Sequence, residues 1–212
     1  MKIISHRGYW QHNKDKNTRS AFVKAIDSNF GIETDFRDFL GKLVISHDPP
    51  TKPGLLAKDF FSLCEESSSK EVFALNVKSD GLQDMFEEFL ALTDSLDYFL
   101  FDMSVPDALG YIDRGMCVFT RQSEWEMIPS FYQESCGVWI DSFKDDAWVN
   151  DGLLSSHIDA GKRICIVSPE LHCNCHRSLW SRLSLMSESV TSDMILCTDL
   201  PDEARSFFCA QS

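Results

Sequence analysis

Two pairs of polar side chains in the N-terminal half are spaced so that each pair shares one face of a strand. Glu33 and Asp35 lie two residues apart, and so do Asn76 and Lys78. Because side chains alternate between the faces of a strand, both members of a pair lie on the same side. Two carboxylates on one face provide the hard oxygen ligands that Mg²⁺ or Ca²⁺ prefers. The first pair therefore predicts a divalent-cation site.

Further ionisable residues could act on a phosphate group beside these carboxylates. His6 and Arg7 follow the first apolar run, and His47 follows the run at 42–46. The Arg7 guanidinium offers a bidentate fork and the Lys78 ammonium a point charge for phosphate oxygens. Two histidines can share the general acid and general base roles near neutral pH. Charge neutralisation, an activated nucleophile and a proton for the leaving oxygen are what cleavage of a phosphate ester requires.

Each of these residues also has an ordinary structural explanation. A histidine at a strand end is often a hydrogen-bonded structural residue, and a Glu-x-Asp pair often lies on a solvated sheet face or in a salt bridge. The joint occurrence of such groups at the ends of neighbouring apolar runs favours a shared site.

The elements that must position these residues are short and regularly spaced. Apolar, β-branched runs predict strands at 2–5, 31–36, 42–46, 72–78, 97–103, 116–120, 137–143, 163–168 and 194–198. Apolar stripes of helical period lie between most of them, one formed by Ala21, Phe22, Ala25 and Ile26. Ser123, with Glu126 three residues later, predicts a capping box before a further short helix. Strand–helix alternation of this kind is typical of a parallel sheet.

One pair of runs is too close for a parallel crossover. Only residues 37–41 separate 31–36 from 42–46, whereas a parallel connection needs about a dozen residues or more. These two runs therefore predict a hairpin. Eight strands remain once the extra one is set aside, which predicts an α/β fold: a compact single-domain (β/α)8 TIM barrel over residues 1–212, with an extra hairpin strand after the second barrel strand. Reactive groups of such barrels lie at the C-terminal ends of the strands.

The composition limits the partners. The chain has 33 acidic and 20 basic residues, a formal charge of −13, which disfavours nucleic acid and anionic membrane surfaces. No stretch approaches the roughly 18 apolar residues of a membrane span. The first apolar run is too short for a signal peptide, and the eight cysteines are scattered, which favours reduced thiols. We predict a cytoplasmic protein with no nucleic-acid partner and no membrane span; the oligomeric state stays open.

A succession of short motifs runs from one end of the chain to the other. They are His6-Arg7-Gly8, Asn17-Thr18, Ile32-Glu33-Thr34-Asp35, Val44-Ile45-Ser46-His47-Asp48, Leu75-Asn76-Val77-Lys78 and Ile195-Leu196-Cys197-Thr198-Asp199-Leu200-Pro201-Asp202. This succession resembles the glycerophosphodiester phosphodiesterase family. The resemblance implies a barrel of the phosphatidylinositol-phospholipase-like type that hydrolyses a small-molecule phosphodiester to an alcohol and a phosphomonoester, with a role in lipid metabolism.

The resemblance also implies a role for individual side chains. His6 and His47 would be the catalytic acid–base pair, and Arg7 and Lys78 would hold the phosphate. Neither the resemblance nor the residues decide which histidine is the acid, or whether water or a substrate hydroxyl attacks phosphorus. In the second case a cyclic phosphate forms first.

The metal ligands implied by the resemblance include one departure from the family. Glu33 and Asp35 would bind a divalent metal, Mg²⁺ or Ca²⁺, with Mn²⁺ as a further choice. The third carboxylate of the family lies two residues before the strand lysine, where this chain has Asn76. An amide oxygen coordinates without bringing charge, so we expect weaker metal binding. Asp102 and Asp141, at later strand ends, are candidates for a compensating oxygen, with a helix cap or a surface residue as the alternative.

Other functions share these residues. Only 23 residues, 49–71, separate His47-Asp48 from the next strand, where the family tends to carry a small lobe, so we expect a more open substrate mouth. A non-catalytic barrel that binds a phosphorylated ligand is favoured by Asn76, whereas the pair of histidines favours catalysis. A cyclising phospholipase or lyase uses the same residues and differs in giving a cyclic phosphate.

A cluster near the end of the chain, His172-Cys173-Asn174-Cys175-His176, consists largely of metal-ligand types. Closed zinc sites use ligand pairs that are separated by two or more residues and converge from two places. This single cluster lacks that spacing. We therefore predict a polar loop here.

Overall fold

The computed structural model describes residues 1–67, 71–93, 96–186, 191 and 193–209. The chain divides into two compact units. We call Ser5–Val118 the N-terminal unit, and Met1–Ile4 together with Phe119–Ser212 the C-terminal unit. The N-terminal unit contains most of the candidate site residues: His6, Arg7, Glu33, Asp35, His47, Asn76, Lys78 and Asp102.

The N-terminal unit alternates strands with helices. Its strands are β1 (Lys2–His6, of which Ser5 and His6 belong to this unit), β2 (Gly31–Phe39), β3 (Lys42–Ile45), β4 (Leu55–Leu56), β5 (Val72–Val77) and β6 (Asp97–Phe101). Its helices are α1 (Arg19–Asp27), α2 (Ala57–Glu66), α3 (Gln83–Leu90) and α4 (Val105–Ile112). Strand β1 lies beside β2, β2 pairs in parallel with β5, and β5 pairs in parallel with β6. The carboxyl ends of the parallel strands therefore lie at one edge of the sheet.

The predicted hairpin is confirmed. Strands β2 and β3 pair antiparallel, with Phe39 opposite Lys42. Leu40 and Gly41 connect them at φ values of 50° and 72°, and two successive left-handed residues are what a type I′ turn requires. The short strand β4, which pairs antiparallel with β3, was not predicted, because two residues carry no periodic pattern. It is followed at once by α2, so this helix takes up much of the short 49–71 segment.

An aromatic core fixes which face of β2 carries the carboxylates. Phe36 packs against Phe60 of α2 and Phe86 of α3, with ring centroids 5.8 and 5.1 Å apart. All three rings are fully buried. Because side chains alternate along a strand, packing Phe36 under the helices places Glu33 and Asp35 together on the opposite face, as predicted.

The C-terminal unit continues the alternation. Its strands are β7 (Phe119–Ser123), β8 (Gly137–Asp141), β9 (Arg163–Val167) and β10 (Met194–Thr198), and its helices are α5 (Asp151–Asp159), α6 (Arg177–Ser184) and α7 (Pro201–Cys209). Successive strands pair in parallel. Buried aliphatic side chains and Trp180 form its core, against which Met1 and Ile3 pack.

Two local predictions in this part of the chain are wrong. Strand β7 begins at Phe119 rather than at residue 116. The predicted capping box does not begin a helix, because Ser123 ends β7 and exchanges backbone hydrogen bonds with Glu126, at 3.0 and 3.3 Å. The Glu126 carboxylate pairs with Arg121 at 2.5 Å and so does not reach back to cap Ser123.

The helices of the described residues are short, and several begin at a side-chain cap. Thr18, Ser104 and Asn150 accept hydrogen bonds from the backbone N–H three residues ahead, at 3.3, 3.4 and 3.1 Å. Such caps satisfy N–H groups that have no partner inside the helix. Within the described part of the chain, no helix combines the length and the apolar character that crossing a membrane requires.

Candidate active site

Three charged residues come directly after the last residue of a strand. Arg7 follows β1, Lys78 follows β5 and Asp102 follows β6. Arg7 and Asp102 have left-handed backbone conformations, with φ values of 59° and 70°. Such values are uncommon for residues other than glycine. The chain therefore turns sharply where each of these two side chains leaves the strand.

Gly8 makes the first of these turns possible. Its φ is 86°, and a Cβ on Gly8 would lie 2.9 Å from the Ala21 Cβ and 3.0 Å from Phe22. Only glycine lets helix α1 pack this closely against the turn. The backbone N–H of Arg7 donates to the Glu33 carbonyl at 2.8 Å, which fixes the turn beside β2.

Glu33 is buried at the centre of the site. Its Oε2 accepts from the Arg7 backbone N–H at 3.2 Å and its Oε1 accepts from Asn76 Nδ2 at 3.1 Å. His6 Nε2 lies 3.9 Å from Oε2. Burial, followed by the neighbouring Asp35 charge, raises the pKa of Glu33, while His6, Arg7 and the Asn76 hydrogen bond oppose that rise. A further positive charge beside Glu33 would therefore stabilise its ionised carboxylate.

Asp35 is fully buried and its two oxygens have different surroundings. Its Oδ2 forms an ion pair with Arg7 Nε at 2.9 Å and accepts a hydrogen bond from Asn17 Nδ2 at 2.8 Å. Its Oδ1 lies 3.8 Å from Lys78 Nζ and has no hydrogen-bond partner among the described residues. Two cationic side chains from different strand ends thus converge on one carboxylate.

Asn76 lies directly opposite Asp35 in the parallel register of β2 and β5. Its Oδ1 is also buried without a hydrogen-bond partner in the described ranges. Glu33, Asp35 and Asn76 together offer oxygen ligands, which suit a hard divalent cation. The residues described contain no group of three or more His, Cys, Asp and Glu side chains placed to hold a metal ion. At position 76 the chain offers an amide oxygen rather than a carboxylate.

Asp102 contacts Lys78, the lysine that we predict to hold the phosphate. Its Oδ2 accepts from Lys78 Nζ at 2.8 Å, which is shorter than the distance from that nitrogen to Asp35. This carboxylate is partly buried and holds Lys78 at the edge of the site. The predicted role of Asp102 as a metal ligand stays a prediction.

His47 lies at the same sheet edge but outside this cluster of contacts. The Ser46 N–H donates to the Asp35 carbonyl at 3.0 Å, so β3 reaches the site. The His47 side chain is 47% exposed, with Nδ1 2.9 Å from Asp48 Oδ1. Arg37 Nε donates to the His47 carbonyl at 2.8 Å. The structure thus brings together six residues, which we call the cluster: His6, Arg7, Glu33, Asp35, Asn76 and Lys78. The His47 imidazole contacts Asp48 instead.

The predicted candidates of the C-terminal unit have partners of their own. Asp141, the last residue of β8, has its Oδ1 2.6 Å from His172 Nε2. That hydrogen bond raises the pKa of His172. His176 Nε2 lies 3.3 Å from a Glu203 carboxylate oxygen. The two histidines of the predicted polar loop therefore bind different carboxylates, and Cys173 between them is exposed.

The sequence patterns did not single out Asn17 as a site residue, although it belongs to one of the motifs of the resemblance. Its side chain contacts both Thr34 and Asp35 on β2. The signal available in the sequence was an asparagine directly before Thr18, which caps α1. That signal places Asn17 next to a helix start and says nothing about a strand far along the chain.

The fold is α/β and TIM-barrel-like, the class predicted from the sequence. No protein-family model matches the chain, and no curated protein matches it. Solved structures match along nearly its whole length. A glycerophosphodiester phosphodiesterase from Agrobacterium tumefaciens str. C58 superposes with a TM-score of 0.68 and 16% identity, covering 99% of this chain and 98% of that one.

Two further structures extend the likeness. A glycerophosphoryl diester phosphodiesterase from Parabacteroides distasonis ATCC 8503 gives a TM-score of 0.68 at 11% identity, covering 99% of this chain and 86% of that one. A Ca²⁺-dependent phosphatidylinositol-specific phospholipase C from Streptomyces antibioticus gives 0.58 at 9% identity, covering 98% and 95%. At these identities the likeness shows the fold, and it confirms the predicted resemblance at that level. The closure of the barrel and the single-domain organisation stay predictions.

Proposed function

We propose that the chain is a metal-dependent phosphodiesterase that hydrolyses a small, glycerophosphodiester-like diester to an alcohol and a phosphomonoester. The observation that carries this proposal is the convergence of Arg7 and Lys78 on Asp35, at 2.9 and 3.8 Å. Beside them lie the two buried oxygens of Asp35 and Asn76 that lack hydrogen-bond partners among the described residues. Cationic side chains next to hard oxygen ligands suit a phosphate group and a divalent cation together.

The proposed metal ligands are Glu33, Asp35 and Asn76, and the proposed cation is Mg²⁺ or Ca²⁺. When bound, the cation supplies Lewis-acid stabilisation of the charge that develops on the phosphate oxygens. One structure of similar fold is that of a Ca²⁺-dependent enzyme, which supports testing Ca²⁺ first. The raised pKa of Glu33 fits a cation site, because a bound cation would stabilise the ionised carboxylate.

Arg7 and Lys78 would hold the phosphate. The Arg7 side chain is anchored by its ion pair with Asp35 and by its backbone, so its position is fixed before the substrate arrives. Lys78 is shared between Asp35 and Asp102. Its ammonium group would bind a phosphate oxygen while Asp102 keeps it at the strand end.

The two histidines would move the protons. One activates a water molecule or an adjacent substrate hydroxyl, and the other protonates the leaving alkoxide. His6 lies within the cluster, 3.9 Å from Glu33, and would act on the inner side of the phosphate. His47 is half-exposed beside Asp48 and would act from the open side.

A second candidate function is binding of a phosphorylated ligand without cleavage. The observation that favours it is the pairing of the His47 imidazole with Asp48 rather than with any residue of the cluster. A barrel that only binds phosphate needs Arg7 and Lys78 and has no need of a second proton carrier.

We further propose a cytoplasmic location and no nucleic-acid partner. Cys64 is a buried free thiol, which fits a reducing compartment. The net charge of −13 disfavours binding to a polyanion.

The test is hydrolysis of a panel of soluble diesters, glycerophosphocholine and bis(4-nitrophenyl) phosphate among them, followed by ³¹P NMR. The panel is run with Mg²⁺, Ca²⁺ or Mn²⁺ and again with EDTA. A phosphomonoester formed only with metal supports the hydrolase, and a cyclic phosphate as the final product identifies the cyclising enzyme instead. Phosphate binding without turnover across the panel supports the binding barrel. His12→Ala, a change at an exposed histidine outside the cluster, is the control for preparations of His6→Ala.

A further inference from the structure

Asn17 connects strand β2 to the turn that follows β1. Its Nδ2 donates to Asp35 Oδ2 at 2.8 Å, and its Oδ1 accepts from Thr34 Oγ1 at 2.8 Å. Its backbone N–H donates to the Arg7 carbonyl at 2.9 Å. Both ends of the amide are therefore fixed by successive residues of β2, while its backbone is fixed to the turn after β1.

The backbone of Asn17 has a left-handed conformation, with φ of 58°. Asparagine tolerates this conformation better than most residues. Arg7, to which it is hydrogen-bonded, has a φ of 59°. A backbone hydrogen bond thus joins two left-handed residues, Arg7 and Asn17. A side-chain nitrogen of each contacts Oδ2 of Asp35.

This arrangement decides which oxygen of Asp35 is available. Because Asn17 and Arg7 both bind Oδ2, the carboxylate is held with Oδ1 free of hydrogen bonds from the described residues, close to Lys78 and opposite Asn76. We propose that Asn17 is a positioning residue that orients Asp35 toward the metal and phosphate. This inference rests on the proposed function and names a residue that the reaction needs without substrate contact.

An amide is the side chain that this position requires. A carboxylate would accept from Thr34 but would repel Asp35 and donate nothing to it. A glycine keeps the left-handed backbone and removes both side-chain hydrogen bonds. Residues that orient a metal ligand typically change metal affinity or activity by about 10- to 100-fold when removed.

The chain offers a matched control at the other end of α1. Asn29 is also left-handed, with φ of 55°, and its side chain is exposed. Asn17→Gly and Asn29→Gly therefore make the same chemical change at the same backbone conformation. Differences between the two variants therefore report on the hydrogen bonds of Asn17 rather than on the stability lost by introducing a glycine.

We expect Asn17→Gly to lower kcat on the active diester by about tenfold or more, with KM changed less than twofold. The Ca²⁺ affinity of the metal-free protein, measured by titration calorimetry, should fall by a similar factor. Asn29→Gly should leave kcat and Ca²⁺ affinity unchanged. Both variants should stay folded at the assay temperature, with the lower unfolding temperature in Asn17→Gly, which loses two side-chain hydrogen bonds. Equal kcat and equal Ca²⁺ affinity in the two variants would overturn the proposal.

A second measurement does not depend on turnover. In a double-mutant cycle, urea unfolding is compared for wild type, Asn17→Gly, Asp35→Ala and the double variant. A coupling that changes the unfolding equilibrium by about fivefold or more supports the Asn17–Asp35 contact, and a coupling below about twofold overturns the proposal. If the wild type cleaves no diester in the panel, the proposed function fails, and the coupling together with Ca²⁺ titration still decides whether Asn17 orients Asp35.

Discussion

Asp35 and Asn76 lie opposite each other in the register of β2 and β5, and each has a buried oxygen that receives no hydrogen bond from the described residues. Leaving a buried polar atom unpaired is unfavourable. Two such atoms on paired residues, one 3.8 Å from Lys78 Nζ and the other on the amide that contacts Glu33, mark a place that an external cation would stabilise. This relationship is the basis of the predictions about metal binding.

Asn76→Asp should tighten Ca²⁺ binding by about tenfold, because the affinity of hard cations rises with the charge of their ligands. The same change should destabilise the metal-free protein, since a third carboxylate would adjoin Glu33, whose pKa is already raised by burial and by Asp35. Titration calorimetry and urea unfolding measure the two effects. Asn29→Asp, at an exposed asparagine, is the control. Unchanged Ca²⁺ affinity in Asn76→Asp would mean that residue 76 is not a ligand.

Glu33 should make the metal-free protein less stable as the pH rises. A raised carboxyl pKa means that the folded state binds the proton more tightly than the unfolded state does. The stability from Glu33 is therefore fully present below its ordinary pKa of 4.5 and is lost as the pH rises through the folded value, by about 1.4 kcal/mol for each unit of pKa difference.

The slope of stability against pH tests this expectation. Urea unfolding of wild type and Glu33→Gln is measured in EDTA from pH 4 upward. The wild type should lose stability relative to Glu33→Gln as the pH increases, and saturating Ca²⁺ should reduce that loss because it favours the ionised carboxylate. Parallel curves in EDTA would contradict the raised pKa.

Asp102 should compete with phosphate for Lys78. Because the Asp102 carboxylate accepts from Lys78 Nζ at 2.8 Å, Asp102→Asn should free the ammonium group and tighten binding of inorganic phosphate several-fold, whereas Lys78→Met should weaken it about tenfold. Asp113→Asn, at an exposed position directly after α4, is the control. A loss of Ca²⁺ binding in Asp102→Asn would instead support the metal-ligand role predicted from the sequence.

His172 should titrate above its ordinary pKa of 6.5, because its hydrogen bond to Asp141 raises the pKa. Asp141→Asn should lower that value, as measured from the imidazole signals in an NMR titration. A raised histidine pKa contributes stability that is fully present below the unfolded value and is lost as the pH rises through the folded one. Asp141→Asn should therefore cost more stability at pH 6 than at pH 9. An equal cost at both values would contradict the ion pair.

The placement of the carboxylates could be predicted from the sequence because it depends on simple periodicity. Glu33 and Asp35 share a face since they are two apart in a strand, and the five-residue gap between 31–36 and 42–46 required a hairpin. The orientation of each side chain could not be predicted. It depends on the left-handed turns at Arg7 and Asn17, which bring residues from distant parts of the chain onto Asp35.

Other differences arise where a side chain pairs with a charged residue nearby in the sequence. The spacing of Ser123 and Glu126 fits a capping box, but β7 continues to Ser123 and Arg121 binds the Glu126 carboxylate. His47 follows its strand as predicted, yet Asp48 next to it binds the imidazole. Sequence spacing gives the element and the face, and the choice among neighbouring charged partners is made in three dimensions.

The central claim is that the cluster around His6 and Asp35 cleaves a phosphodiester. It is tested most directly by the rate of phosphomonoester release from the diester panel with Ca²⁺, for wild type, His6→Ala and His47→Ala. We expect turnover that stops in EDTA and falls at least about 100-fold in each histidine variant, with unfolding temperatures like that of His12→Ala. Full turnover in His6→Ala, or no turnover of any diester with any metal, would contradict the account.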